Sequence, residues 1–258
     1  MDKYFNKGKL NFNEICNLRR DAFVDVLTRS SLGEKILGIF ANSYDEVEIR
    51  AYGLIPIPLQ GLDSGIFKFG SHPGCDLIKS TLVYLKTDKC PILHSTIAYV
   101  FDKTCMKIHE EFKPHTDKPI YISGLSQMTF SEFCKGIAGQ YSLELANGAK
   151  KILGEIKNIQ KELEKTVISG VNLMHLDFYS KFILDLDKRL EFFQKIQAYP
   201  YEKINKTRYE VKAICPWAIG FEIEKLISQD HYKIVVADDH AEFGLDKCIK
   251  DSVTRLNY

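Results

Sequence analysis

The sequence predicts an α/β protein: a parallel sheet with flanking helices, a long helical hairpin, and a short or incomplete second α/β unit. Three observations carry that prediction. Between Glu34 and Ser123 short apolar runs alternate with amphipathic ones four times, the pattern of parallel strands joined through helices. From Thr129 to Ala198 the helical period continues with few interruptions. After Tyr199-Pro200 come a strand, a helix and a strand, too few for a well-covered sheet of their own unless they add to the first. The expected divisions are 1–128 for a first α/β domain with cysteine-bearing loops, 129–200 for a helical hairpin connector, and 201–258 for the partial second unit.

Taken in order, Asn11 to Arg29 reads as a packing helix, with Phe12, Ile15, Leu18, Phe23, Val26 and Leu27 as its apolar stripe. Ser31-Leu32-Gly33 ends it, and Glu34 to Ala41 forms a buried strand. Asn42-Ser43 turns the chain into a short helix, Tyr44 to Tyr52, closed by Gly53. The run LIPIPL is a strand whose two prolines suit a sheet edge, since proline donates no ladder hydrogen bond. Gly61 to Gly74, with Phe67 and Phe69 in its middle, is a loop of the kind that shapes sites over strand ends.

Cys75 to Leu85 is then a helix, His94 to Phe101 a strand, Thr104 to Phe112 a helix and Lys118 to Ser123 a strand. Two long helices follow, Thr129 to Lys165 and Asn172 to Ala198, separated at Thr166 to Gly170. The closing segment reads RYEVKAI as strand, Pro216 to Ser228 as helix, and YKIVVADD as strand.

Bulk properties narrow the function. With 35 basic against 34 acidic residues, no broad electrostatic capture of nucleic acid or anionic membrane is expected. The N-terminus lacks a signal-peptide pattern and no run approaches a membrane span, so a cytoplasmic location is expected. Seven cysteines spread through a chain of this length point to reduced thiols rather than a disulfide framework. No nucleophile elbow, GxGxxG or P-loop is present.

Cys75, Cys90 and Cys105 stand at equal intervals of fifteen residues. Cys75 opens a helix, Cys90 precedes a strand, and Cys105 follows that strand. In a parallel sheet each strand end and the start of the next helix share one rim, so Cys75 and Cys105 could converge, whereas Cys90 would need a bend in its loop. Metal-iron-sulfur spacings such as CxxC are absent. From the residues alone both readings stay open: thiolate ligands, or thiols packed as small hydrophobes. His109 lies one helical turn after Cys105, and His72, His94 and His115 are in the same region. Asp238-Asp239-His240 has the look of a site at a strand's end or of a helix cap.

The runs EVEIRAYGLIPIPL, HPGCDLIKSTLVYL, DKCPILHSTIAYVFDKTCMKIHEEF and DKPIYISGLS carry a resemblance. They resemble the D-component family of 2-hydroxyacyl-CoA dehydratases, which also contains benzoyl-CoA reductase subunits and double-cubane cluster proteins. The family shows an A-x-G-L-x-P step, a C-x-L-I-K-S helix, a C-P before a strand and a T-C-D-x-K-K-x-x-E segment after it. In this chain these are Ala51 to Pro56, Cys75 to Ser80, Cys90-Pro91, and Thr104 to Glu110. Two departures stand out. Met106 replaces the family's Asp and the lysine pair is reduced to Lys107. The last cluster cysteine of the family has no counterpart in context, Cys215 and Cys248 being the downstream candidates.

The resemblance implies a pseudo-Rossmann fold with a shortened second domain and an iron-sulfur cluster, 4Fe-4S or double-cubane. It implies Cys75 and Cys105 as ligands and Cys90 as a third. It further implies a lyase or low-potential reductase that performs one-electron radical chemistry on an acyl-CoA substrate. The partners implied are an ATP-dependent activator protein and a second dehydratase-type subunit or a homodimer. The alternative is a cluster-free paralogue acting as an accessory or interaction subunit, the class that the shortened second unit favours.

Overall fold

The computed structural model describes residues 2–41, 44–59, 64–70, 76–87, 89–102, 106–204, 209–213 and 232–236. The chain opens with a small antiparallel hairpin, β1 (Phe5–Asn6) and β2 (Lys9–Leu10), and a 3-10 turn at Phe12–Glu14. Helix α1 (Asn17–Ser31) buries Leu18, Ala22 and Val26. Leu27, expected in the buried stripe, is exposed. Strand β3 (Lys35–Phe40) leads to α2 (Glu46–Ala51), which Tyr52 and Gly53 close through backbone bonds to Ile49 and Arg50. Strand β4 (Leu54–Pro58) follows.

A 3-10 segment, Ser64–Phe69, precedes α3 (Asp76–Lys86), α4 (Pro91–Ser95) and β5 (Thr96–Phe101). Then come α5 (Met106–Phe112) and β6 (Ile120–Ile122). The four-stranded sheet has the order β4-β3-β5-β6 with every neighbouring pair parallel, so the α/β class with a helix-flanked parallel sheet is observed. Proline-bearing β4 is an edge strand, as its missing donors require.

Alternation along the strands divides the core between two faces. Leu37, Ile39, Leu54, Ala98 and Val100 point to one face, where they meet Ile49 of α2 and Phe133 and Cys134 of the helix after β6. Ile36, Phe40, Ile55, Ile57, Tyr99 and Phe101 point to the other, against α1, α3, α4 and α5. Gly38 sits at the centre of that second face. A Cβ there would lie 2.8 Å from Leu59 Cδ2 and 2.9 Å from Tyr99 Cδ1. Both neighbours are buried, so the Gly38→Ala variant is expected to lose about 1–3 kcal/mol of stability by overpacking, read from its urea midpoint.

Each of the two expected long helices is divided in two. The first becomes α6 (Phe130–Ala138) and α7 (Leu143–Leu163), separated at Gly139. A capping box of Thr129 with Glu132 starts α6, and Ser142 starts α7 by accepting a bond from the Leu145 amide. The second becomes α8 (Gly170–Ser180), capped by Ser169, and α9 (Leu186–Ala198), capped by Asp185. Helix α7 packs against both α2 and α9. The second-face cluster extends through Ile156 and Leu163 of α7 and Phe192, Phe193 and Ile196 of α9, so these helices share a core with the sheet.

Strands β7 (Tyr209–Ala213) and β8 (Tyr232–Val236) form a separate parallel pair. The two do not join the four-stranded sheet among the described residues. The expected helix from Pro216 to Ser228 lies outside the described residues. No helix among the described residues is long and apolar enough to cross a membrane.

Candidate functional site

From β3 the chain moves outward to β4, then returns past β3 to place β5 on its other side. Strand order therefore reverses between β3 and β5, and in open parallel sheets the crevice beyond the strands' carboxyl ends at such a reversal is where ligands bind. The β4 and β5 connections feed α3, beginning at Asp76, and α5, beginning at Met106. Cys75 and Cys105 each precede one of these helices by a single residue, and both lie outside the described residues.

Cys90 is described. It is the N-cap residue of α4 but makes no side-chain capping bond, and Pro91 occupies the first helical position. It is 1% exposed, within the second-face core. Helix α4 runs directly into the amino end of β5, and its last carbonyls are held firmly there. The Leu93 carbonyl accepts from Tyr99 Oη at 2.8 Å and Lys118 Nζ at 3.1 Å, and the His94 carbonyl accepts from Lys118 Nζ at 2.8 Å. Strand β5 has six residues and spans about 20 Å, and helix α4 lies between Cys90 and its first residue.

Among the histidines, His109 lies in α5 with its ring packed edge-on against Phe101, the last residue of β5, at a centroid distance of 5.9 Å. Its Nδ1 is buried and has no hydrogen-bond partner among the described residues. Burial, with the Lys113 ammonium adding to it, lowers the His109 pKa below the ordinary 6.5, so the ring is neutral at pH 7. A neutral imidazole with an unmatched nitrogen retains a lone pair or an N–H for a ligand. His94 belongs to α4 and His115 to the 3-10 turn Lys113–His115. His72, Cys215, Cys248 and the Asp238-Asp239-His240 sequence lie outside the described residues. No group of three or more His, Cys, Asp or Glu side chains among the described residues is arranged to hold a metal ion.

Part of the loop after β4 packs back on its own helix. Gly70 lies against Val83 of α3, and Phe69 has Lys89 Nζ 4.6 Å and Lys68 Nζ 5.2 Å from its ring centroid. The remaining cysteines serve as references. Cys16 is exposed, whereas Cys134 is fully buried, where desolvation, assisted by Glu48, pushes its thiol up to about 12. A thiol so shifted is a packing group.

Sequence reading missed a buried ionic cluster beside α2. Glu46 accepts from Arg189 Nη1 at 3.1 and 2.9 Å and from Arg50 Nε at 2.9 Å. Its partners' other donors bind the turn between α8 and α9: Arg189 Nε reaches the Ile183 carbonyl at 3.0 Å and Arg50 Nη2 the Leu184 carbonyl at 2.9 Å. An arginine in a charged helical run gave no local sign of burial, because its partner stands 143 residues away.

No protein-family model matches this chain, and no curated protein matches it.

Proposed function

We propose that the chain is the iron-sulfur subunit of a 2-hydroxyacyl-CoA dehydratase-like or benzoyl-CoA reductase-like system, with its site at the carboxyl rim around the β3–β5 reversal. The observation that carries this reading is the buried Nδ1 of His109, unpartnered among the described residues, beside the end of β5 and on the helix that Cys105 precedes. Thiolate and imidazole donors suit iron-sulfur centres, and Cys75 and Cys105 are the residues that would hold one. When bound, such a cluster supplies an electron at low potential to an acyl thioester. His109, kept neutral by its surroundings, would offer one nitrogen toward that site without adding charge.

A second reading is favoured by the position of Cys90. It is buried in the core ahead of α4, which supports a packing thiol and leaves Cys75 and Cys105 as the rim candidates. A cluster-free accessory subunit would need nothing more. Anaerobic purification followed by iron and acid-labile sulfide analysis separates the two readings. For a cluster subunit, bound iron is expected, with its loss in Cys75→Ala and in Cys105→Ala and its retention in Cys16→Ala and Cys134→Ala, while retention in Cys90→Ala would make Cys90 a packing thiol rather than a third ligand. Colourless, iron-free protein from that preparation would favour the accessory role.

A further inference from the structure

We propose that the N-terminal hairpin and the residue following α9 form a second ligand site, for a small anion bearing a planar ring, of the nucleoside monophosphate class. An open surface groove of about 560 Å³ lies between these segments. Asn6, Lys7, Lys9, Phe12, Asn13 and Tyr199 supply its chemistry, and among the described residues no carboxylate lines it. None of these residues belongs to β3–β6, α3 or α5, so this site is separate from the carboxyl rim.

The lining selects the ligand in three ways. Lys7 and Lys9 make no ion pair among the described residues, which leaves two ammonium groups available to a phosphate. The nearby acids are engaged elsewhere: Asp2 with Lys195 at 3.0 Å, and Glu14 with the Asn17 carboxamide. The Asn6 and Asn13 carboxamides offer both donors and acceptors, suited to hydroxyls or a base edge. Phe12 and Tyr199 provide aromatic surface for a ring. A groove of about 560 Å³ exceeds what an inorganic anion needs and leaves one face of a bound molecule open to solvent.

The walls are anchored. Tyr4 and Leu10, which flank the hairpin, are 2% and 3% exposed. The Asn11 amide donates to the Tyr4 carbonyl at 2.9 Å, and the Leu10 amide to Tyr201 Oη at 3.3 Å. Tyr199 packs on Tyr201 with ring centroids 4.7 Å apart, and a Cβ on Gly8 would be 3.8 Å from its Cδ2. Lys7 and Gly8 both have positive φ, 49° and 81°, the pattern of a tight hairpin turn whose first position favours Asn or Gly. Lys7 thus occupies a backbone conformation unfavourable to it, at a position that lines the groove.

The test is calorimetric titration of the full chain at low salt with adenosine monophosphate, and with inorganic phosphate and adenosine as separate probes. Saturable one-to-one binding of the nucleotide is expected, weakened about tenfold in each of Lys7→Gln and Lys9→Gln and weakened by added salt. Lys9→Gln leaves the turn residue in place, so its effect reports charge rather than turn geometry. Tyr199→Leu should weaken the nucleotide while leaving any residual phosphate binding unchanged. Absence of saturable nucleotide binding, or binding untouched by both lysine variants, would overturn the proposal. Equal affinity for phosphate alone would refute the ring contact, and equal affinity for adenosine would refute the anion site.

Discussion

Glu46→Ala is expected to lower the unfolding free energy by about 3–5 kcal/mol, because removing one member of a buried ion cluster leaves the others uncompensated. Arg189 and Glu46 have side-chain exposures of 3% and 11%, and Arg50 has 13%, so solvent can do little to replace the lost carboxylate. Two guanidinium groups would remain buried without the carboxylate that both now bind. Their attachment to the turn carbonyls between α8 and α9 would weaken with them, which adds to the loss. Urea titration by circular dichroism measures it.

The same carboxylate gives stability a defined acid limb. Burial alone would raise the Glu46 pKa, but the charges and hydrogen bonds of Arg189 and Arg50 outweigh it and hold the group below its ordinary 4.5. A group whose folded pKa lies below its unfolded value contributes fully above the unfolded pKa and loses that contribution as pH falls through the folded one. Wild-type stability should therefore fall between about pH 5 and the lower folded value, while Glu46→Gln, less stable near neutrality, should show a shallower fall over that interval.

The second large effect is expected from Phe192→Ala, about 3–5 kcal/mol, as a buried ring is replaced by a cavity that the surroundings fill only in part. Phe192 is fully buried, with ring centroids of Phe5, Phe193 and Tyr4 at 5.7, 6.1 and 6.3 Å. It joins the N-terminal segment to α9 within the second-face cluster, which also contains Val26 of α1 and Phe40 of β3. Far-ultraviolet dichroism and tyrosine fluorescence should consequently shift to lower urea together in the variant. A tyrosine transition that moved alone would show that α9 and the sheet do not share a cooperative core.

The helices that the sequence concealed were concealed for physical reasons. Thr129, Ser142, Ser169 and Asp185 each supply a cap that could be read locally, but Ser142 and Asp185 lay inside continuous apolar periodicity, and the period alone does not mark a break. The break before α9 is stabilised by arginines whose acid partner lies on α2. Helix α4 was hidden for a similar reason. PILHS is short, and the side chains that bind its final carbonyls come from Tyr99 and Lys118. By its sequence Cys90 precedes a strand, whereas it is the residue ahead of a helix in the core and makes no side-chain capping bond.

What the sequence determined by itself was the alternation of strand and helix, the edge position of the proline-bearing strand, and the parallel sheet these produce. Those properties follow from the period of apolar residues and from the donor that proline lacks, both local quantities. Only the tertiary structure decided that Cys90 is buried in the core ahead of a helix, that His109 carries a buried nitrogen unmatched among the described residues, and that Arg189 is an interior residue. Burial and hydrogen-bond satisfaction depend on which distant segments come into contact, and the spacing of residues along the chain does not contain that information.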